Sequence, residues 1–368
     1  STLVDSVVTT GGDGSWTVTG GIISGDIVTA YIDNDALDAN TVFVSNGTSK
    51  SDINLYGNAL IVRSDTTGTT TNANLFTGAI YGEADMIYAT SSTANITLNS
   101  NANLHIYTGD AYIPGGTVTT QGTGDLRVAT SSIAFLDTAT NTIGGDIIAY
   151  DSSLIYINTT TNVNGGDIKT QGTVGDGNIL YSGGAFTPVV TLSGSGTIKD
   201  GNATSTFYAL TTGASANTSI ATDMVMDNAL TIGNGATFSA SAGTITMTGG
   251  SIANSGTLAF KNLAIAGTVT TSATFSVTGN MTSTSGTLTT SGGAITVTGN
   301  LSVAGTITGT GSIVVNGGNT TGSGTLNLTG GTFLLDGTGL FGGNTGWTFN
   351  QLTFGDGSGV ATTTSTGT

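Results

Sequence analysis

A repeat of six residues is the feature of this sequence that most limits how the chain can fold. In the stretch GAITVTGNLSVAGTITGTG, apolar side chains recur at Ile295, Leu301 and Ile307, and Val297 and Val303 follow the first two. Because strand side chains alternate between two faces, residues two apart point the same way. A helix needs apolar residues three and four apart. The spacing therefore predicts short strands separated by glycine turns.

Three such strands close one coil, and stacked coils form a parallel β-solenoid. One coil cannot bury its apolar row, whereas stacking places each interior residue on its equivalent in the next coil. We predict an all-β fold, a parallel β-solenoid (β-helix) of roughly 18 to 21 residues per coil, with the chain in two segments. At ~20 residues per coil, the full length corresponds to roughly eighteen coils.

Acidic residues divide the chain into two parts of different character. Eighteen of the 22 Asp and Glu residues precede position 201, and four follow it. We therefore predict a boundary near residue 205. Residues 1–205 would form an irregular, more acidic solenoid with longer loops, and residues 206–368 a regular, nearly uncharged solenoid rich in Gly, Thr and Ser.

Similar stretches recur within the first part at unequal intervals. NANLFTGAIYG at residues 72–82 is repeated as NANLHIYTGDAYI at residues 101–113. Internal repeats are the mark of stacked structural units. The unequal intervals indicate that these coils carry insertions of varying length.

Charge and residue usage argue against several classes of protein. A formal net charge of -16, with only six Lys and Arg residues, leaves little from which to build a phosphate-binding groove, so nucleic acid is not an expected partner. The absence of cysteine excludes disulfides and thiolate metal sites. No window reaches the ~18 apolar residues that a membrane-spanning helix needs. The opening residues do not form a signal peptide, and we expect one to have been removed.

Aspartates in the stretch YIDNDALDAN are the candidate metal ligands. Asp33, Asp35 and Asp38 place three carboxylates within six residues. Hard oxygen ligands of this kind suit calcium. An EF-hand loop would add a glycine and a distal glutamate, which the stretch lacks, so a solvated loop is the competing interpretation. No other cofactor is expected.

An enzymatic role has less support than a structural one. Polysaccharide lyases and hydrolases on β-helices need clustered carboxylates or basic residues on one outer face. Asp146 and Asp167 occupy matching GGDI units. Stacking on successive coils would make them repel each other or share a cation, and a structural role in the turn is the favoured interpretation. His105, between Leu104 and Ile106, is predicted to point outward. We assign no catalytic residue and expect that the protein is not an enzyme.

Pairs of threonines separated by one residue raise ice binding as another alternative. Examples of such pairs begin at residues 17, 117, 244, 296 and 306. A flat ice-binding face needs them in register on nearly every coil. Because these positions share no common interval, the sequence does not favour this role.

A short unit recurs along the chain as NALTIGNG at residues 228–235, NLAIAG at residues 262–267 and NQLTFGDG at residues 350–357. In composition and rhythm, the sequence resembles the repetitive surface proteins of microbes, such as filamentous haemagglutinins and autotransporter passenger regions. The resemblance implies a β-helical rod that serves in adhesion, coats or filaments.

The expected function is that of a non-enzymatic structural subunit of an extracellular filament or cell-surface coat. The sequence shows no helical cap at either end, and open solenoid ends expose strand edges that pair with other chains. Copies of the same chain are therefore the expected partners, together with host or neighbouring cell-surface glycans. An adhesin stalk or phage fibre rod is the alternative, and a polysaccharide-active β-helix enzyme is a third.

Overall fold

The chain folds into a parallel β-solenoid, as the six-residue spacing predicts. A computed structural model describes residues 15–66, 68–80, 83–92, 94–171, 178–180, 187–199, 204–343, 346–355 and 363–365. The solenoid has about 15 turns, and its coils are stacked about 20 residues apart. The predicted coil length is confirmed, whereas the expected number of coils is too high because residues near the N-terminus form capping elements.

Each coil contributes one strand to each of three faces. Face 1 is a 16-stranded sheet in which the first strand is antiparallel and all later strands are parallel. Its strands are Ser24–Tyr31, Ala39–Asn46, Ala59–Ser64, Asn103–Ile106, Leu126–Val128, Ile147–Tyr150, Ile168–Gln171, Ser195–Lys199, Asn217–Ile220, Thr237–Ala240, Thr257–Phe260, Phe275–Val277, Ala294–Val297, Ser312–Asn316, Phe333–Asp336 and Leu352–Phe354.

Face 2 begins as a four-stranded parallel sheet, and its last strand contacts the strands that continue the face. Two long strands, Thr244–Asn254 and Asn262–Thr271, cross a corner and contribute their first halves to this face. The other strands of face 2 are Ala111–Tyr112, Ile133–Leu136, Leu154–Ile157, Asn178–Leu180, Ser205–Phe207, Met224–Met226, Met281–Ser283, Leu301–Val303, Thr320–Gly322, Gly339–Gly343 and Thr363–Ser365.

Face 3 receives the second halves of the same two long strands. Its first strand is antiparallel to the second, and the rest are parallel. The other strands of face 3 are Tyr88–Ser92, Asn95–Ser100, Val118–Gln121, Asn141–Ile143, Thr161–Asn164, Val189–Ser193, Ala209–Thr212, Leu230–Ile232, Thr287–Thr290, Thr306–Gly309, Thr325–Leu328 and Thr348–Phe349.

The three apolar residues that define the six-residue repeat lie on the three sides of one coil. Ile295 is on face 1, Leu301 on face 2 and Ile307 on face 3, with exposed fractions of 2%, 0% and 0%. Each stacks on an equivalent residue, for example Ile295 on Ile313. The predicted register is confirmed, and the core is a continuous row of such side chains along the axis.

The corners between faces combine glycine with asparagine. Gly309 has a φ of 122°, and a Cβ atom built on it would lie 1.9 Å from the carbonyl oxygen of Thr290 on the previous coil. Only glycine fits this close approach without strain. At another corner, Asn280 Oδ1 accepts from the amide of Asn300, and Asn300 Oδ1 from that of Asn319, at 2.9 and 2.8 Å. The corners are thereby bonded from coil to coil.

The N-terminal end of the described chain is capped, contrary to expectation. The antiparallel strand Ser24–Tyr31 closes face 1, and the antiparallel strand Tyr88–Ser92 closes face 3. Between them lies an α-helix, Asn72–Gly78, whose Leu75 is fully buried in the core. The two antiparallel strands cover the first parallel strands of faces 1 and 3.

The helix also shows that similar stretches adopt different structures. NANLFTG is helical because Thr71 and Asn74 form a capping box and Asn72, Leu75 and Gly78 lie on one buried side. The related stretch NANLHIY instead contains the strand Asn103–Ile106. The first repeat is thus not a solenoid strand.

The short units behind the family resemblance occupy different faces. NALTIGNG contains Leu230–Ile232 on face 3, and NLAIAG lies in the face 2 half of Asn262–Thr271. NQLTFGDG contains Leu352–Phe354 on face 1. Such a unit therefore encodes one strand with its turn rather than one coil. Strand pairing continues across the predicted boundary near residue 205, since Ile198 pairs with Ile220.

Candidate functional site

Charged side chains gather in a ladder at the corner that precedes face 1. Asp125, Asp146 and Asp167 occupy equivalent positions on three successive coils, and Asn103 occupies the position before them. Each amide donates to the Oδ1 atom of the preceding member, at 2.9 Å for Asp125, 2.8 Å for Asp146 and 2.7 Å for Asp167. The stacking of Asp146 and Asp167 on successive coils is confirmed.

The second carboxylate oxygen of each aspartate binds a basic side chain. Arg127 pairs with Asp125 at 2.7 Å, Lys169 with Asp146 at 2.5 Å and Lys199 with Asp167 at 3.4 Å. The shared cations are therefore groups of this chain. Burial, the largest single influence, lowers the pKa of Lys169, but the hydrogen bond and charge of Asp146 outweigh it and leave the pKa raised.

The basic residues and His105 form one outward column on face 1. Strand pairing sets the order of the column from coil to coil. His105 pairs with Arg127, and Arg127 pairs with Ile148. The next members are Lys169 and Lys199. His105 lies between the fully buried Leu104 and Ile106, so its predicted outward orientation is confirmed. Burial, followed by the charge of Arg127, lowers its pKa. Since the carboxylates of the ladder accept from both amides and cations, the arrangement ties coils together.

The candidate calcium ligands do not converge on one another. Asp33 lies in a cluster with Glu83 and Asp85, in which one carboxylate oxygen of each lies within 4.8 Å of the others. Asp35 accepts instead from the amide of Leu37 at 3.3 Å. The peptide oxygen of Asp38 accepts from the amide of Asn58 at 2.8 Å.

Sequence reasoning missed Glu83 and Asp85 because they lie some fifty residues beyond Asp33. The amide of Asn34 donates to Asp85 Oδ2 at 2.7 Å, which joins the two loops. Burial, followed by the charges of Glu83 and Asp33, raises the pKa of Tyr31. Three carboxylates of this type suit a hard cation, and calcium binding stays a prediction.

A second group of charges is buried near the N-terminal end. The Arg63 guanidinium donates to Asp65 Oδ1 at 2.6 Å and lies 4.5 Å from the centre of the Tyr107 ring. Lys50 Nζ is 3.6 Å from the same carboxylate. Burial raises the pKa of the neighbouring Asp110 to about 6, although Arg63 opposes the shift. This cluster links three successive stretches of chain.

One depression on the described surface is open to solvent. It has a volume of about 420 Å³ and is lined by Asp137, Ala139, Thr140, Asn158, Thr159, Thr160, Thr187 and Pro188. Asp137 is its only ionisable lining residue among those described. Glycoside hydrolysis needs a pair of carboxyl groups across the scissile bond, and the described lining supplies one.

Large apolar side chains are exposed only toward the two ends of the described chain. Those near the N-terminal cap are Ile23, Leu37, Tyr56 and Phe76, and those in the last coils are Leu340, Leu352 and Phe354. Near the C-terminal end, Phe341 also packs against Trp347, Phe349 and Phe354, with ring centres 5.5 to 5.9 Å apart. An apolar surface of this kind is suited to contact with another protein.

The fold and these sites define a parallel β-solenoid whose coils are tied by side-chain ladders at the corners. Comparison of the chain with protein families, with characterised proteins and with solved structures found no match. Within the described residues, no helix is both long and apolar enough to cross a membrane.

Proposed function

We propose that the chain is a non-enzymatic structural subunit of an extracellular filament or cell-surface coat, which assembles end to end with copies of itself. The observation that carries the proposal is the confinement of exposed large apolar side chains to the two ends of the described solenoid. Between residues 77 and 339, no large apolar side chain of the described chain is as exposed as the seven at the two ends.

The two apolar ends differ in structure, which determines the type of contact. The N-terminal one belongs to capping elements and includes Phe76 of the helix, whereas the C-terminal one includes Leu352 and Phe354 of a face 1 strand. A contact between two different patches is heterologous and repeats without closing when the subunits share an axis. Burial of apolar area at about 25 cal/mol per Å² supplies the driving force.

The capped N-terminal end changes the mechanism that the sequence suggests. A parallel strand edge is covered there by Ser24–Tyr31, which pairs antiparallel with Ala39–Asn46. Apolar packing across the ends is therefore the main proposed contact, with strand pairing secondary. Placement outside the cell rests on the Gly, Thr and Ser content and on the resemblance to repetitive surface proteins.

Negative-stain images and sedimentation velocity over a range of protein concentrations test the proposal. We expect polymers whose length grows with concentration. Replacing Leu352 and Phe354 by serine should leave single rods. Val314→Ser, which removes an apolar side chain from face 1 two strands before the terminal strand, should still allow polymers to form.

Uniform single rods of the unmodified protein at high concentration would contradict end-to-end assembly. That outcome would favour the alternative of an adhesin stalk or phage fibre rod that acts as a monomeric spacer. Binding of the rods to cell-surface glycans would then be the next property to measure.

A further inference from the structure

Threonine forms a long outward column on face 3. Strand pairing places one residue of each coil beside its equivalent on the next, and all members except one are threonine. The column consists of Thr97, Thr119, Thr142, Asn162, Thr191, Thr211 and Thr231.

After the two long strands, face 3 carries two such columns side by side. One column contains Thr268, Thr287, Thr306 and Thr325, and the other contains Thr270, Thr289, Thr308 and Asn327. The first column has a constant interval of 19 residues, from 268 to 287, 306 and 325. Three successive coils therefore present Thr-x-Thr in register, and the fourth presents Thr-x-Asn.

The unequal intervals in the sequence have a structural explanation. The pair that begins at residue 244 lies on face 2, and the pair that begins at residue 296 starts on face 1. Of those five pairs, only the one that begins at residue 306 belongs to the double column, which also contains the pairs that begin at residues 268 and 287. Pairs from different faces share no common interval, whereas pairs within face 3 do.

Several hydroxyl groups of the double column have no partner within the described part of the protein, although Thr270 Oγ1 donates a long hydrogen bond of 3.5 Å to the carbonyl of Gly250. Threonines elsewhere bond more closely to the backbone. At a corner, Thr284 Oγ1 donates to the carbonyl of Ile265 at 3.2 Å, and in the interior Thr271 Oγ1 donates to that of Ile252 at 2.9 Å. Among the described residues, no protein atom hydrogen-bonds the side chains of Thr287, Thr289 or Thr306. These hydroxyls are left to bind water.

We propose that face 3 binds the surface of ice through this double column. Adjacent coils repeat at about 4.8 Å. In tetrahedrally bonded water, an O···O distance of about 2.75 Å places second-neighbour oxygens about 4.5 Å apart. The hydroxyl repeat along the solenoid axis is therefore close to a repeat of ice.

Two further properties suit these columns to ordered water. Threonine is β-branched, so its χ1 angle is restricted and the hydroxyl and methyl groups hold their positions without a large loss of entropy. The face 3 strands from Thr287–Thr290 to Thr325–Leu328 contain no charged residue that would disturb the array. The inference goes beyond the proposed structural function and does not depend on assembly.

Inhibition of ice recrystallisation and uptake of the labelled protein into growing ice test this inference. Thr289→Lys with Thr308→Lys changes the column, and Thr282→Lys with Ser302→Lys changes the equivalent outward column on face 2 of the same coils. We expect the unmodified protein and the face 2 variant to inhibit recrystallisation and enter ice, and the face 3 variant to lose both properties.

Circular dichroism and thermal unfolding establish that each variant is folded. If the lysine pair on face 3 destabilises the protein, Thr289→Gln with Thr308→Gln disturbs the spacing without adding charge and should cause the same loss. If growing ice excludes the unmodified protein, the inference is overturned. Binding of the protein to another solid, such as crystalline cellulose, would not rescue it. Equal loss in the face 2 and face 3 variants also overturns it.

Discussion

The amide of Asp167 donates a 2.7 Å hydrogen bond to Oδ1 of Asp146, its equivalent on the preceding coil. Two like charges thus stand next to each other on adjacent coils. Their repulsion is offset because each carboxylate also binds a lysine, Lys169 for Asp146 and Lys199 for Asp167. The ladder connects coils through side chains in addition to the strand hydrogen bonds.

Asp146→Ala should therefore destabilise the solenoid. It leaves the Asp167 amide without its acceptor and Lys169 without its partner, and loss of such a charged hydrogen bond costs about 1 to 3 kcal/mol. Asp146→Asn should lower the free energy of unfolding by less, because the side-chain amide oxygen still accepts the hydrogen bond from the Asp167 amide. Asn103 accepts the equivalent bond on an earlier coil. Urea unfolding of both variants measures the difference, and equal losses would show that the ladder bond does not stabilise the fold.

Leu301→Asp should disrupt the stack, whereas Ser302→Asp should be tolerated. Leu301 is fully buried in the core, and an aspartate there would be a buried, unpaired charge. We expect a loss of about 4 kcal/mol or more. Ser302 points outward beside Thr282 and Thr321. Thermal unfolding compares the two variants, and equal tolerance would mean that the six-residue register is wrong.

Gly309→Ala should destabilise its corner through backbone strain and a steric clash. The φ of 122° disfavours any L side chain, and the new Cβ atom would lie 1.9 Å from the Thr290 carbonyl oxygen. We expect a loss of about 1 to 3 kcal/mol. Gly21→Ala is the control, because no atom lies within 4 Å of its Cβ position. Denaturant unfolding should separate the two, and a neutral Gly309→Ala would contradict the tight corner.

Stability near the N-terminal cap should decrease as pH rises through about 6. Burial raises the pKa of Asp110 from 3.8 to about 6, so the folded state binds this proton more tightly than the unfolded state does. The resulting stabilisation is fully present below the unfolded pKa and is lost as pH rises through the folded pKa.

Asp110→Asn should remove this part of the pH dependence, and Asp35→Asn, at an exposed position, should not. Amide hydrogen exchange in the strand Ala59–Ser64 measures the local stability near the cap. The measurement is made at several values between pH 4 and pH 8 in the wild type and in both variants. An unchanged pH profile in Asp110→Asn would exclude this carboxyl as the cause.

Much of the fold follows from short-range patterns. Leu263, Val269 and Phe275 keep the six-residue step, and each is buried on the expected side of its coil. Alternation along a strand is a local property, so the sequence predicts which residues point inward. The fully buried Leu104 and Ile106 around His105 follow the same rule.

The candidate sites depended on contacts that no local pattern reveals. Asp33 is joined by Glu83 and Asp85 because the antiparallel cap folds distant loops together. NANLFTG became a helix because Thr71 and Asn74 cap it and Leu75 seals the end of the core. A similar stretch without that environment formed a strand.

By itself, the sequence determined that the chain winds into three-sided coils with one apolar row inside. Only the tertiary structure decided which strands share a face, because turns and insertions of unequal length separate equivalent positions. Thr287 and Thr306 are neighbours although 19 residues separate them, and Thr296, which lies between them in the chain, is on another face. The physical reason is that stacking aligns residues by coil and corner rather than by distance along the chain.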